Sequence, residues 1–392
     1  LSFIILNYHN GILPIYFLYF YKKKNVTTNI NQIDFKKSLS GEEIAFLIGC
    51  SGANSKALRE MAGQKAIELR GSKVWFRGLI EFSNVCIKDC FYCGIRKSNT
   101  KVPRYNLDDE AIIQAARYAF ENRYGSVVLQ SGERIDNKFI DRIDQLIKKI
   151  KEISDNKIGI TLSLGEQTKE TYQKWFNSGA HRYLLRIETT SKELYQKLHP
   201  VNKLHSFERR LEALKALKEI GYQTGSGVMV GLPSQTISDL ANDLLFLKEF
   251  DIDMVGMGPY IEHEDTPLAK SSQSAYTQEE RLHMTLNMIA TLRLMMPDIN
   301  IAASTALQAI DPMGREKAIK CGANIIMPNI TPATERKNYQ LYNNKPCIDE
   351  SADDCLSCLQ MRIAFTGRET GLGEWGDSLH FFKKQKNEQL KR

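Results

Sequence analysis

Residues 74–93, VWFRGLIEFSNVCIKDCFYC, begin as an apolar and aromatic run and pass directly into three closely spaced cysteines. A strand that ends in a loop of thiols is the first member of a series. Comparable runs follow at 126–130 (SVVLQ), 158–164 (IGITLSL), 182–187 (RYLLRI), 226–231 (SGVMVG), 253–259 (DMVGMGP), 299–305 (INIAAST) and 323–328 (ANIIMP), eight with 74–82 included. Between them, apolar residues recur three or four apart, as in Ile140, Ile143, Ile147 and Ile150, or Ile237, Leu240, Leu244 and Leu247. That is the spacing of one helix face. Asp108 and Asp136 stand where helix caps are expected. Strand and helix alternating eight times over about 250 residues predict an α/β fold, a parallel (βα)8 barrel of the TIM type. A doubly wound open sheet is the structural alternative.

Working outward, residues 1–40 read as a variable extension and 41–72 as a helical lead-in (EEIAFLIG, then SKALREMAGQKAIELR). Residues 73–334 form the expected barrel, and 335–392 a C-terminal segment with further cysteines and a basic tail. The first 21 residues are apolar, but Asn7, His9, Asn10, Gly11 and Pro14 interrupt them and no small-residue cleavage site follows. A membrane role is therefore not expected, and targeting to an organelle is left open. The net charge of +7 divides into +3 from Lys22, Lys23 and Lys24 and +4 from residues 383–392, so residues 25–382 are neutral. A neutral body lacks the field needed to grip many phosphates, which sets nucleic acid aside.

Eight cysteines could make four disulfides, but a chain of 392 residues buries enough core without them. Six fall into two close trios, while Cys50 and Cys321 stand alone. Close trios suit metal, and unpaired thiols suit a reducing, cytoplasmic setting. In Cys86-x3-Cys90-x2-Cys93 the spacing allows three thiolates to wrap three irons of a cubane and leave the fourth open. Structural zinc is the alternative, but no His or Cys follows until His181 to complete its tetrahedron. The second trio, Cys347-x7-Cys355-x2-Cys358, could hold another iron–sulfur cluster or zinc, or stay as free thiols.

Sites in (βα)8 barrels gather where strands end. Here the strand ends carry the cysteine loop, Ser131-Gly132-Glu133, Thr161 with Ser163 and Glu166, Arg186 with Glu188, Ser304 with Thr305, and Asn329. Arg186 and Glu188 are two apart and share a face, as do Thr161 and Ser163. The bland alternatives are a structural ion pair for the first and barrel-filling hydroxyls for the second. Cys321 precedes the last strand, on the opposite rim, and reads as structural.

The cysteine spacing, with Tyr92 before the last thiol, resembles the signature of the radical S-adenosylmethionine (SAM) superfamily. The resemblance implies a [4Fe-4S] cluster whose open iron is chelated by SAM, and reductive cleavage of SAM to methionine and a 5'-deoxyadenosyl radical. Taken with LQSGE, TLSLGE, RYLLRIET, GVMVGLPSQT, DMVGMGP, CGANIIMPN and the tail trio, residues 41–360 resemble the HydE family, radical SAM maturases of [FeFe]-hydrogenase. That likeness implies that Cys86, Cys90 and Cys93 hold the cluster. It further implies that Tyr92, Gln130, Ser131, Gly132, Glu133, Glu188 and Arg210 meet SAM, Ser131 standing where the family motif has glycine. Thr161, Arg186, Met254, Thr305, Met327 and Tyr339 are implied as the wall of a substrate cavity. Cys347, Cys355 and Cys358 are implied as an accessory [2Fe-2S] or [4Fe-4S] site for binding, not catalysis. The implied substrate is a cysteine-bound organometallic iron complex delivered by HydG, its product passing towards HydF, with an external electron donor. Biotin synthase fits less well, since the strands lack the cysteines of its second cluster. A methylornithine synthase-like mutase and a non-catalytic iron–sulfur carrier are the remaining alternatives.

Overall fold

A computed structural model describes residues 29–391. The apolar stretch and lysine run of residues 1–24 lie outside the described residues. The strands are β1 (Lys73–Ser83), β2 (Ser126–Ser131), β3 (Gly159–Ser163), β4 (Arg182–Leu184), β5 (Gln223–Ser226), β6 (Met229–Val230), β7 (Met254–Pro259), β8 (Asn300–Ala303), β9 (Ile325–Ile326) and β10 (Glu369–Gly371). β1, β2, β3, β4, β5, β7, β8 and β9 pair in parallel in that order, and β9 returns to β1 through Trp75↔Ile325 and Phe76↔Ile326. The sheet is therefore closed, and the expected eight-staved barrel is the fold.

Alternation along each stave separates two cores. On β1, Val74, Phe76, Ile80 and Phe82 join the main apolar cluster under the helices, while Trp75 packs inside the barrel against Ala302, Ile325 and Met327. The inward row Trp75, Arg77, Leu79, Glu81 thus climbs from the floor to the mouth in layers. On β3, Ile160 and Leu162 face the helices, and Thr161 and Ser163 take successive interior layers. The expected caps are present: Asp108 accepts from the Ala111 amide at 2.8 Å and Asp136 from that of Phe139 at 3.0 Å.

Several staves are shorter than the expected runs, the last reduced to Ile325–Ile326, and two also change course. The fifth forms at Gln223–Ser226, ahead of the apolar 226–231, and breaks at Gly227. A Cβ at Gly227 would lie 1.9 Å from the Gly256 carbonyl oxygen, so only glycine lets the two staves cross there. β6 resumes against Gly258 and Pro259 at the rim. The fourth ends at Leu184, and residues 185–188 run on irregularly towards the mouth.

The lead-in helices, Gly41–Gly49 and Gly52–Arg70, pack beside the helix Gln278–Met295, where Ser55 and Arg59 both donate to Asn287 Oδ1, at 2.8 and 2.9 Å. β10 extends the sheet beyond β1, and the chain after it crosses the barrel floor. No helix among the described residues is long and apolar enough to cross a membrane.

Candidate active site

The loop after β1 is held from within. Arg104 donates to the carbonyls of Asn84 and Ile95 at 2.7 and 2.8 Å and to that of Asn99 at 2.9 Å. Asp89 accepts from the Ser98 amide and hydroxyl, at 3.1 and 2.7 Å, and from Arg96 at 2.6 Å. Glycine at 132 lets β2 come up against this loop: a Cβ there would meet the Val85 carbonyl oxygen at 2.4 Å and the Cys86 Cβ at 2.7 Å. The close approach brings the Glu133 amide to 3.3 Å from Cys86 Sγ, and the Lys88 amide lies at 3.4 Å from the same sulfur.

Burial pushes all three thiols up, Cys90 to about 12, and Cys86 adds to the shift of Cys90 and, with Cys90, to that of Cys93. Left to themselves they are neutral thiols, so only a strong cation makes them thiolates. Among the described residues, the one trio whose ligand atoms all lie within 4.8 Å is Cys347, Glu350 and Cys355. The sulfurs of Cys86, Cys90 and Cys93 do not all lie within that distance of one another, as thiolates that each take a different iron of a cubane need not.

Around the loop lies a buried ionic network. Lys88 Nζ lies 2.9 Å from Glu166 and 3.4 Å from Glu133, and Glu166 also meets Arg210 at 2.5 Å and Arg209 at 3.0 Å. Burial pushes the Glu133 carboxyl up, only partly offset by Lys88. Glu166 is buried too, yet Arg210 and Lys88 hold its carboxyl below the usual range. Arg210 also donates to the Arg186 carbonyl, so the end of the fourth stave is tied to the same network. Glu188 has a left-handed backbone, φ 68°, and its carboxylate pairs with Arg186 at 3.0 Å.

These groups open into one cavity of about 340 Å³ at the barrel mouth. Cys86, Cys90, Tyr92 and Cys93 form one side, with Gln130, Ser131, Gly132, Glu133, Glu188 and Arg210 beside them. Arg186, Thr305, Met327 and Tyr339 line the interior, where the Nε of Arg186 is buried without a partner. Thr161 and Met254 lie one layer lower, around a void of about 20 Å³ that shares Met327 with the main cavity. The period of two does turn Thr161 and Ser163 the same way, but only Ser163 reaches the main cavity.

Several lining residues have no local sequence signal. Lys345 reaches in from the C-terminal segment to Glu81, at 2.5 and 2.6 Å from its two oxygens, and Asn329 donates to Glu81 at 2.9 Å. Arg315 and Tyr342 complete that side. Cys347 and Cys355 line the same end of the cavity. The Cys355 thiol bonds to Cys347, which is pulled down to about 6, with Arg315 adding to the effect. Cys358 lies one helical turn on from Cys355 and is exposed, so Glu350 takes the third place beside the two buried-side thiols.

Comparison with known proteins bears on the family and the fold. The family model of the radical SAM superfamily matches residues 80–247. The chain is 46% identical to the [FeFe] hydrogenase maturase subunit HydE of Thermotoga maritima over 335 residues, 84% of this chain and 92% of that one. Among solved structures, methylornithine synthase superposes with a TM-score of 0.73 at 24% identity, covering 86% of this chain and 95% of its own. The maturase HydG of Carboxydothermus hydrogenoformans gives 0.70 at 19% identity, covering 86% and 76%. At those identities the two structures speak to the fold alone.

Proposed function

The chain belongs to the HydE family of [FeFe]-hydrogenase maturases, radical SAM enzymes that use a [4Fe-4S] cluster and SAM, and from that premise we propose how its residues divide the work. Cys86, Cys90 and Cys93 hold three irons of the cluster, and the amides of Lys88 and Glu133 stabilise the Cys86 thiolate by N–H···S bonds. Gln130, Ser131, Gly132, Glu133, Glu188, Arg210 and Tyr92 receive SAM. When bound, this pair supplies reductive cleavage of the sulfonium to methionine and a 5'-deoxyadenosyl radical. The protein's own part is to orient, and to keep water from, what the cavity encloses.

Arg186, Thr305, Met327 and Tyr339 form the substrate wall, with Thr161 and Met254 beneath it. The guanidinium of Arg186 and the Thr305 hydroxyl suit an anionic group, which fits a cysteine-bound iron complex carrying CO and cyanide. In this reading HydG supplies that complex and HydF takes the product. Cys347 and Cys355 bind an accessory metal or cluster, with Glu350 or Cys358 as further ligand, and take no part in SAM cleavage.

One observation carries the reading: the three loop thiols and the Arg186 guanidinium, whose Nε has no hydrogen-bond partner among the described residues, line a single cavity. Its volume of about 340 Å³ lies in the range of small-molecule sites. Reconstituted without oxygen and given SAM and dithionite, the protein should form 5'-deoxyadenosine. Cys90→Ala should lose both the cluster absorbance and that product, and Cys355→Ala should keep both. Adding the iron complex made by HydG should speed 5'-deoxyadenosine formation; an unchanged rate would refute the substrate assignment.

A further inference from the structure

We propose that the outer surface of the cysteine loop, with Val201, Lys203 and Lys97, is the docking site for a small acidic one-electron carrier protein. The inference rests on the radical SAM reading, because that chemistry draws one electron per turnover from outside the chain. The carrier is oxidised by one electron as the iron–sulfur site is reduced by one.

The first observation is the thinness of the wall. The Phe91 amide donates to the Leu198 carbonyl at 2.9 Å, and the Asp89 amide donates to His205 Nε2 at 2.9 Å. Both neighbours of Cys90 are therefore hydrogen-bonded to the segment 198–205, whose outer face is surface. That segment is thus in direct contact with the residues on either side of a cluster thiol.

The second observation is Val201. It is 95% exposed, on a loop that is fixed by its own bonds: the Asn202 side chain accepts from the Leu204 amide at 3.0 Å and meets His205 Nδ1 at 2.8 Å. A rigid, fully presented apolar side chain suits an apolar contact within an interface. Three residues before it in the chain, Leu198 joins Phe91, Pro267 and Leu268 in lining a groove of about 320 Å³.

The third observation is charge. Segments 86–104 and 197–206 hold seven Lys and Arg against one acidic residue, Asp89, within a body whose residues 25–382 sum to zero. Some of these cations are matched: Lys88 by Glu166, Arg96 by Asp89, Lys101 by Asp265 and Lys197 by Glu193. Arg104 is spent on the loop's own carbonyls, while Lys97 and Lys203 are exposed and have no carboxylate within 4 Å among the described residues. A small patch with one apolar anchor and unmatched cations has the character of weak electron-transfer encounters steered by opposite charge.

The test uses the full chain with two reductants, dithionite and a small acidic ferredoxin kept reduced by its reductase. Lys97→Glu/Lys203→Glu and Val201→Asp should each lower ferredoxin-driven 5'-deoxyadenosine formation at least tenfold at low salt and leave the dithionite-driven rate unchanged. Independently of turnover, titrating isotope-labelled ferredoxin with the metal-free chain should show binding that weakens at least tenfold in both variants and falls with added salt. Equal ferredoxin-driven rates and equal binding for wild type and variants would overturn the proposal, as would a wild type that dithionite drives and ferredoxin cannot. Failure of the radical SAM reading itself would show differently, as no product in the dithionite arm.

Discussion

At the scale of single residues, the site depends on groups that hold other groups in place, and Asp243 is one of them. It is 0% exposed, and its Oδ1 accepts both the amide and the hydroxyl of Thr190, at 2.7 and 2.6 Å. Thr190 lies two residues beyond Glu188, whose left-handed backbone turns its carboxylate towards Arg186. Burial pushes the Asp243 carboxyl up to about 7 against the Thr190 bonds. Asp243→Ala leaves the Thr190 donors unpaired, which costs about 1–3 kcal/mol, and should raise the KM for SAM more than it lowers kcat. Asp243→Asn keeps an acceptor and should restore both; a KM unchanged in the alanine variant would remove Asp243 from this role. Cys86, Cys90 and Cys93 were legible because their spacing is local. Lys88 with Glu166, and Lys345 with Glu81, were not, because the partners are 78 and 264 positions apart. Glu350 was hidden for another reason: it is close in sequence to Cys347 and Cys355, but a single carboxylate in a polar segment has no ligand pattern of its own.

At the scale of elements, the C-terminal helix Leu379–Lys391 shows how a polar contact can attach a segment the barrel does not bury. His380 lies between two carboxylates, 2.6 Å from Asp251 and 3.1 Å from Asp298. Lys383 adds to Asp298, and Lys384 to Asp251 and Asp253. The bond to Asp298, and that to Asp251, raise the imidazole above its ordinary value despite burial. A raised histidine contributes stability that is fully present below its unfolded value, about 6.5, and is lost as pH rises through the folded one. Limited proteolysis should therefore release this helix faster at pH 8.5 than at pH 6, the lysines giving residual attachment, and His380→Gln should abolish the difference. Equal cleavage of the wild type at both values would show that the lysines alone suffice. The staves were legible from their apolar runs wherever those runs coincide with pairing. The fifth was displaced because Gln223, Thr224, Gly225 and Ser226 form it with backbone bonds and small or polar side chains, and its apolar continuation belongs to the rim.

At the scale of the whole molecule, a barrel with an open, charged mouth needs a closed floor, and the chain supplies it from its far end. After β10, Trp375, Gly376 and Asp377 cross under the staves. Asn300 Nδ2 donates to the Gly376 carbonyl at 2.8 Å, Arg182 donates to the Trp375 carbonyl at 3.0 Å, and Arg182 Nε meets Asp377 at 2.9 Å. No periodicity marks this segment, and its partners lie far upstream, Arg182 by 193 and 195 positions, so sequence reading assigns it only to a polar tail. Arg182 is 0% exposed, and Asp377 is its only carboxylate partner among the described residues. Removing one member of such a buried pair costs about 3–5 kcal/mol, because the remaining charge stays buried, a large part of the roughly 5–15 kcal/mol that holds a domain. Burial alone would push the Asp377 carboxyl up, but its bond to His181 and the charge of Arg182 hold it well below the usual carboxylate range. A depressed carboxylate contributes stability above its unfolded value, about 3.9, and loses it as pH falls through the folded one. Asp377→Ala should accordingly lower the urea midpoint strongly at pH 6, and the gap between variant and wild type should narrow as pH falls below about 4. A midpoint unchanged at pH 6 would mean that the floor is held by the backbone contacts of Trp375 and Gly376 alone.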